Sequence, residues 1–342
     1  MLEFDLAALG WSPELAENLP PGLVPGRVTA AHRAAFDVQT GYGSVRTRLP
    51  GRLVHEQLDV AVGDWVGLGD GLIREVLPRR SAIVRQAAGR TSESQTLAAN
   101  VDVAFVVTSL GPDLEPRRIE RYLVTIWESG AVPEIVLTKA DRLDDPWDQA
   151  AEVEGVALGV PVHVVSAISG LGVDALRARL QPGATAVLLG SSGVGKSTLV
   201  NLWVGHELMT VKDTRADDDE GRHTTTHRQL IQLPGGGMII DTPGIRELQL
   251  WDSGGIDEAF SDVEELAGAC RFNDCSHNTE PGCAVKAALA SGELSADRYG
   301  SWLKLQRELR AIAIRHDARL RREERRRWQQ ISKDARIRTR HR

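Results

Sequence analysis

The chain has 342 residues and a formal net charge of −6, with 42% hydrophobic and 26% charged residues. This length allows two or three domains, and the composition is that of a globular protein. No apolar run approaches the roughly 18 residues that a membrane span needs. The first residues, MLEFDLAALGW, carry acids and lack the continuous apolar core of a secretory signal. We therefore expect a cytoplasmic protein with no membrane segment.

The charge is distributed unevenly along the chain. Residues 301–342 hold 15 Lys and Arg against 5 Asp and Glu, a local balance of +10, so the other 300 residues sum to −16. Clustered cations gain free energy by releasing counterions from nucleic acid, so a basic tail on an acidic body indicates an anionic partner. The alternative interpretation is a solvated charged helix.

The first part of the chain reads as β-structure. After an N-terminal extension, residues 1–21, short strand-like segments broken by glycine fill residues 22–84. This pattern predicts a small β-barrel, of which the OB-fold is the nucleic-acid-binding example, although many small barrels bind nothing of that kind.

The next part alternates apolar runs of strand length with helical patterns, from VDVAFVVTSL to MIIDTPG. Such alternation predicts an α/β domain over residues 95–250, with a mostly parallel sheet buried on both faces. No strand pattern remains in residues 251–342. There, helical segments surround a Cys/His cluster and a long amphipathic helix carries the basic tail, so we predict a mostly α-helical third domain.

The strongest motif is GSSGVGKST, which follows the strand-like AVLL and fits the phosphate-loop pattern G-x-x-x-x-G-K-[ST]. In such a loop, backbone N–H groups turn toward the phosphates, Lys196 reaches the β- and γ-oxygens, and Ser197 binds Mg²⁺ at the start of a helix. The predicted nucleotide-binding residues of this motif are Gly190, Ser191, Ser192, Gly193, Val194, Gly195, Lys196, Ser197 and Thr198.

Two further motifs favour guanine as the base. In TKAD, Asp141 can accept hydrogen bonds from two guanine donors that adenine does not offer, while Lys139 would lie along the base plane and Thr138 stands where asparagine is usual. After the strand VHVV, Ser166 and Ala167 match the loop whose backbone N–H contacts the guanine oxygen. Each motif is weak alone, but together they indicate GTP.

The remaining GTPase elements follow the phosphate loop. DTPG, Asp241 to Gly244, matches the D-x-x-G element, in which the aspartate holds Mg²⁺ through water and the glycine N–H senses the γ-phosphate. Before it lies GRHTTTH, residues 221–227, where a switch threonine should bind Mg²⁺. We favour Thr224 or Thr225 for this role.

All three cysteines lie between residues 270 and 283, in CRFNDCSHNTEPGC. With the histidine between them they form a three-Cys, one-His set, which suits a closed, structural, tetrahedral Zn²⁺ site. Disulfides are the alternative, but the odd number of cysteines and the expected cytoplasmic location argue against them. The predicted zinc ligands are Cys270, Cys275, His277 and Cys283.

The order of the motifs is permuted, because the base-recognition elements precede the phosphate loop. From about residue 25 to 320, the chain resembles bacterial ribosome small-subunit-dependent GTPases of the RsgA/YjeQ type. The resemblance rests on this order, on the motifs G-R-H-T-T-T and D-T-P-G-I-R-E, on the β-rich start and on the Cys/His cluster. The resemblance implies an OB-fold, a circularly permuted GTPase domain, one structural Zn²⁺, Mg²⁺ with GTP, and late maturation of the small (30S) ribosomal subunit through its rRNA. We expect a monomer.

Two histidines are candidates for positioning the attacking water. Ras-like enzymes carry glutamine just after the D-x-x-G glycine, but this chain has Ile245, so we expect slow intrinsic hydrolysis. His223, or else His227, would act when a partner orders the loop; alternatively these histidines contact RNA or solvent. Two other functions stay open, an ATP-using P-loop enzyme and an RNA-binding scaffold in which the nucleotide is structural.

Overall fold

The computed structural model describes residues 5–86, 94–112, 114–205, 228–241 and 255–316. These residues form two compact units, one before residue 250 and one formed by residues 255–316. In this described part of the chain, no helix is both long and apolar enough to cross a membrane. The domain limits inferred from the sequence remain predictions.

The first unit begins with a segment that packs on later strands. A short 3-10 helix, Leu6–Leu9, precedes helix α1, Pro13–Glu17. Ser12 caps α1 with its hydroxyl oxygen. The proline at the first helical position suits a helix start, because an N–H at that position would have no partner within the helix and proline has none to leave unpaired. The ring of Trp11 lies 4.8 Å from that of the buried Trp65, so the segment is attached to the strands by an aromatic contact.

Five short strands with one helix among them follow. They are β1 (Val24–Ala31), β2 (Phe36–Thr40), β3 (Gly43–Thr47), α2 (Gly51–His55), β4 (Trp65–Gly69) and β5 (Leu72–Val76). The pairing is antiparallel throughout, in the order β3-β2-β1-β4-β5. The Ile73 N–H donates to the Arg48 carbonyl at 3.2 Å, which brings the chain after β3 beside β5. The sheet therefore curls around a small core that includes Val28, Val38 and Val66.

A two-stranded antiparallel ribbon, β6 (Ala82–Gln86) and β7 (Ser94–Ala99), connects these strands to the α/β part. The elements of the α/β part are β8 (Val103–Ser109), α3 (Pro116–Ser129), β9 (Val132–Thr138), α4 (Trp147–Val156), β10 (Val162–Val164), α5 (Val173–Arg177), β11 (Thr185–Leu189), α6 (Lys196–Val204), β12 (Arg228–Gln232) and β13 (Met238–Asp241).

The α/β sheet is parallel in its centre. Strands β10-β9-β8-β11-β13 run parallel in this order, β12 pairs antiparallel with β13, and β12 also pairs antiparallel with β1. Strands β8, β9 and β11 are buried along almost their whole length, as expected for strands covered on both faces. On one face Trp203 of α6 packs with its ring 6.1 Å from Phe105 of β8. The β1–β12 pairing makes one continuous sheet of the β-rich and α/β parts.

The second unit is helical in its described part. Its helices are α7 (Ile256–Ala259), α8 (Ser261–Gly268), α9 (Ala284–Ser291) and α10 (Ala296–His316). Arg298 of α10 is 6% exposed and lies 4.1 Å over the ring of Phe260. Its guanidinium donates to the carbonyl of Ala259 at 2.7 Å and to Asp262 at 2.9 Å, so one side chain connects α10 to α7 and α8. The predicted mostly parallel sheet with helices is observed in residues 103–241, where β12 is antiparallel, and the described elements after residue 255 are helices.

A buried arginine joins the β-rich part to the α/β part. Arg27 of β1 is 1% exposed, and its guanidinium donates to the carbonyls of Leu9, Gly63 and Asn100 and to the hydroxyl of Thr185 at 2.8 Å. Burial lowers the pKa of Arg27 to about 10, so the group stays charged at neutral pH. The desolvation cost of this charge is offset by the carbonyl and hydroxyl dipoles that surround it.

We expect Arg27→Ala to lower the free energy of unfolding by about 3 kcal/mol, because several buried carbonyls lose their donor at once. For a unit of this size the melting temperature should fall by roughly 6–12 °C. The matched control is Arg33→Ala, which removes an exposed arginine from the same part of the chain. Equal melting temperatures for the two variants in thermal denaturation would contradict the structural role of Arg27.

Candidate functional site

Residues from the predicted motifs lie at one edge of the parallel sheet. The carboxyl ends of parallel strands meet at the same edge, and ligands of open α/β sheets bind there. Strand β9 ends at Thr138, β11 leads into Gly190, β13 ends at Asp241, and Ser166 follows β10. The fold thus brings elements of the phosphate loop, the base-recognition motifs and the D-x-x-G motif to one edge.

The phosphate loop depends on glycine at its bend. Gly190 has φ +144°, and a Cβ built there would lie 2.0 Å from the carbonyl oxygen of Val107 on β8. Gly195 has φ +102° and precedes the first residue of α6, so the first N–H groups of that helix face the loop with no side-chain cap. The first N–H groups of a helix have no partner within the helix itself, and together with the helix dipole they favour an anion such as phosphate.

Lys196 lies across this loop. Its Nζ donates to the carbonyl of Gly190 at 2.8 Å and to that of Ser191 at 2.6 Å. These contacts hold the ammonium group inside the curve of the loop, where it would meet the phosphate oxygens. Ser197 and Thr198 follow in the first turn of α6, and both are half-buried.

Thr138 connects the base motif to the phosphate loop. Its side chain is buried, and its hydroxyl lies 2.6 Å from the carbonyl oxygen of Val194 and 3.2 Å from that of Thr108. The single hydroxyl proton can donate to one of them at a time, and the shorter distance favours Val194. The threonine that replaces the usual asparagine therefore contacts the protein backbone.

Asp141 and Ser166 form a pair at the predicted base site. Asp141 lies in a short 3-10 helix, Ala140–Arg142, and its Oδ1 accepts a hydrogen bond from the Ser166 hydroxyl at 2.6 Å. The same Ser166 oxygen accepts from the N–H groups of Ile168 and Ser169, so it also shapes the loop that carries Ala167. The two base motifs are thus joined, which fixes the direction of the Asp141 carboxylate.

A cavity of about 700 Å³ opens beside the phosphate loop, a volume that suits a nucleotide-sized ligand. Its walls come from the ends of β8 and β9, the start of α3 and the phosphate loop, and include Thr108, Leu114, Arg118, Lys139, Arg142, Ser191, Ser192, Gly193 and Val194. Lys139 has φ +60°, an uncommon conformation for a residue with a side chain.

Arg118 is a wall residue of this cavity that belongs to no motif. It lies in the first turn of α3, donates to the Ser191 hydroxyl at 3.2 Å and pairs with Glu115 at 2.5 Å. Its side chain is 46% exposed, so this ion pair adds little stability. No sequence pattern marks it, because its position follows from the approach of α3 to the phosphate loop.

Only part of the predicted magnesium and switch set can be located. Asp241, the last residue of β13, lies at the same edge as the phosphate loop, since β13 pairs in parallel with β11. The predicted switch residues His223, Thr224 and Thr225 and the γ-phosphate sensor Gly244 lie outside the described residues.

The second unit gathers the four predicted metal ligands. The ligand atoms of Cys270, Cys275, His277 and Cys283 all lie within 4.8 Å of one another. His277 Nδ1 is 3.6 Å from Cys270 Sγ and 3.5 Å from Cys283 Sγ, and those two sulfurs are 3.9 Å apart. Cys270 follows α8, while Cys283 caps α9 by accepting from the Lys286 N–H at 3.5 Å.

This geometry fits one tetrahedral metal ion. With metal–sulfur bonds of about 2.3 Å, the sulfurs of a tetrahedral site lie about 3.8 Å apart. The observed 3.9 Å between Cys270 and Cys283 matches that spacing. It is far longer than a disulfide bond of about 2.05 Å, and all three cysteines are free thiols. The Cys₃His group can therefore hold one metal ion.

Comparison with known families and proteins agrees with this geometry. The family model described as RsgA GTPase matches residues 76–251. A relative in Streptomyces coelicolor, named small ribosomal subunit biogenesis GTPase RsgA, is 48% identical over 93% of this chain and 90% of its own length. A relative of the same name in Opitutus terrae is 44% identical over 98% of both chains.

Two solved structures are similar to the chain. The crystal structure of YjeQ from Thermotoga maritima has a TM-score of 0.63 at 28% identity and covers 84% of this chain and 98% of its own. The crystal structure of YloQ, described as a circularly permuted GTPase, has a TM-score of 0.62 at 24% identity over 85% of this chain and 96% of its own, and supports the fold. On the family model and the two relatives, the chain is a member of the RsgA GTPase family.

Proposed function

We propose that the chain is a GTP hydrolase that binds the small (30S) ribosomal subunit and its rRNA and assists late maturation of that subunit. Stimulation of hydrolysis by the subunit would drive release of the protein. The observation that carries this proposal is the convergence of the phosphate loop, Asp141 and Ser166 at one sheet edge, in a chain 48% identical to a protein named for small-subunit biogenesis. Such a factor would act in the cytoplasm as a monomer.

The nucleotide would lie along the sheet edge with its phosphates at residues 190–198. Asp141 would accept hydrogen bonds from two guanine donors, with Ser166 holding the carboxylate in place through the 2.6 Å bond. Lys139 would run along the base, the Ala167 N–H would reach the guanine oxygen, and Thr138 would support the site through the phosphate loop.

The residues that would hold Mg²⁺ are Ser197, Asp241 through water, and Thr224 or Thr225. Oxygen ligands suit this hard cation, and the half-buried Ser197 and Asp241 both lie at the sheet edge next to the phosphate loop. When bound, Mg²⁺ would neutralise charge on the β- and γ-phosphates. The Gly244 N–H would sense the γ-phosphate.

A residue of the segment before β12 would position the attacking water. Ile245 offers no polar group for this task, so His223 is proposed to orient the water in the complex with the subunit, with His227 as the alternative. Loss of the γ-phosphate would then remove the Gly244 contact and lower the affinity for the subunit.

The β-rich part, residues 22–84, is proposed to be an OB-fold that contacts rRNA. The strand order β3-β2-β1-β4-β5, the helix α2 between β3 and β4, and the contact of Ile73 with Arg48 support this assignment. The proposed GTPase domain spans residues 95–250, and a zinc-binding domain with the basic tail spans residues 251–342. The Cys₃His set favours Zn²⁺, because three thiolates and one imidazole suit this soft-to-borderline cation.

We expect Asp141→Asn to weaken GTP binding by roughly 10²-fold or more, because hydrogen bonds to a charged acceptor contribute about 1.5–3 kcal/mol each. The amide of asparagine should accept xanthine nucleotide instead. Titration with fluorescent GTP and XTP measures both affinities. Asp144→Asn, at an exposed position in the same loop, serves as the control and should bind GTP normally. Unchanged GTP affinity in Asp141→Asn would remove this residue from the base site.

Elemental analysis should find one zinc per chain, and Cys275→Ser should lose most of it. The second unit should then unfold at lower temperature, since metal binding is coupled to folding, while GTP binding by the first unit persists. Asp274→Asn changes the exposed neighbour and should retain its zinc. A zinc-free wild-type chain with an unchanged melting profile after chelation would refute the zinc assignment.

Small subunits should accelerate single-turnover GTP hydrolysis by the wild-type chain, and large subunits should not. His223→Ala should bind nucleotide and small subunits normally but lose most of this acceleration, while His227→Ala should keep it. Full stimulation of His223→Ala would exclude a catalytic role for His223. Equal stimulation by large subunits would show that the small subunit is not the specific partner. No turnover with either subunit would favour an RNA-binding scaffold in which the nucleotide is structural.

A further inference from the structure

Glu280 organises the loop that carries the histidine of the metal site. Its Oε1 accepts hydrogen bonds from the Ser276 N–H at 3.1 Å and from the Ser276 hydroxyl at 2.5 Å. Its Oε2 accepts from the N–H groups of Asn278 at 2.9 Å and Thr279 at 3.0 Å. One carboxylate therefore holds the residues on both sides of His277.

The backbone of His277 depends on such support. Its φ is +58°, in the left-handed region that residues with a side chain seldom adopt and that surrounding contacts must maintain. In this conformation Nδ1 points at the thiols of Cys270 and Cys283, at 3.6 and 3.5 Å. The orientation of the ligand atom thus follows from the loop conformation that Glu280 stabilises.

Contacts outside the loop hold the other parts of this arrangement. The ring of Trp302 meets the His277 ring edge-on at 6.0 Å, and its Nε1–H donates to Glu264 at 2.8 Å. The Lys286 ammonium donates to the Asn278 carbonyl at 2.7 Å, which ties the loop to the helix that Cys283 caps. The imidazole is therefore confined by the ring of Trp302 as well as by its own backbone.

We propose that Glu280 is a positioning residue of the metal site, which raises its metal affinity by fixing the direction of the His277 imidazole. This inference rests on the proposed zinc binding. The four hydrogen bonds described above all come from donors, so both oxygens are needed as acceptors. Glutamine keeps the size of the side chain but has an NH₂ group in place of one carboxylate oxygen. This group is a donor, so it cannot accept the two hydrogen bonds that the oxygen accepts.

The test is a double-mutant cycle on the full chain with Zn²⁺ as the probe. We expect Glu280→Gln to weaken Zn²⁺ binding by about 10–100-fold in competition with a chelator, the range typical of residues that orient a metal ligand. In the His277→Ala background the same change should alter the affinity by less than about 2-fold, because the group it orients is gone. Glu293→Gln, at an exposed position of the same unit, should bind Zn²⁺ like the wild type.

A spectroscopic measurement separates positioning from general stability. With Co²⁺ in place of Zn²⁺, the visible absorption of Glu280→Gln should shift toward that of His277→Ala. Ser276→Ala, which removes one of the four donors, should weaken Zn²⁺ binding in the same direction by a few-fold and keeps the test valid if Glu280→Gln folds poorly.

The outcomes distinguish the two proposals. If the wild type binds Zn²⁺ and both Glu280→Gln and Ser276→Ala bind it equally well, the inference about Glu280 fails alone. Equal losses in the wild-type and His277→Ala backgrounds also overturn it, since Glu280 would then act on the unit as a whole. If the wild-type chain itself binds no Zn²⁺, the zinc proposal fails and this inference fails with it.

Discussion

Parallel pairing of the buried strands β9, β8 and β11 determines where the nucleotide site can lie. Parallel strands end at the same edge, so loops that are far apart in sequence emerge side by side: Ser109 pairs with Thr138, and Val106 with Leu189. Thr138 and Val194 are separated by 56 residues, yet the hydroxyl of one lies 2.6 Å from the carbonyl of the other. Any rearrangement of the motifs along the chain that preserves this pairing also preserves the site, which explains how a permuted order can be functional.

The site is held largely by contacts within the protein itself. Gly190 leaves room for the Val107 carbonyl, Thr138 secures the phosphate loop, and Ser166 fixes Asp141. These contacts join groups of the protein itself, so they restrict the conformations that the site residues can adopt. Such preorganisation lowers the entropic cost of binding. The Cys₃His group is also held by contacts within the protein, because protein donors and acceptors hold the loop around His277.

Local patterns were enough to predict the elements but not the connections between them. The apolar runs predicted β8, β9 and β11, and the motif spacing predicted which residues follow each strand. The burial of Arg27 was not predictable, because an arginine in a short strand reads as a surface residue until its distant partners are known. Neither was the pairing of β1 with β12, which joins residues about 200 positions apart. Arg118 and Glu280 act through contacts that carry no sequence signature.

Strand β12 places the two halves of the first unit in direct backbone contact. Gln229 lies opposite Ala30 of the β-rich sheet on one side and opposite Asp241 on the other, so a single residue separates that sheet from the end of β13. Any coupling between two ligands that bind on either side of this connection is reciprocal. If GTP changes the affinity for a partner held by the β-rich strands by some factor, then that partner must change the affinity for GTP by the same factor.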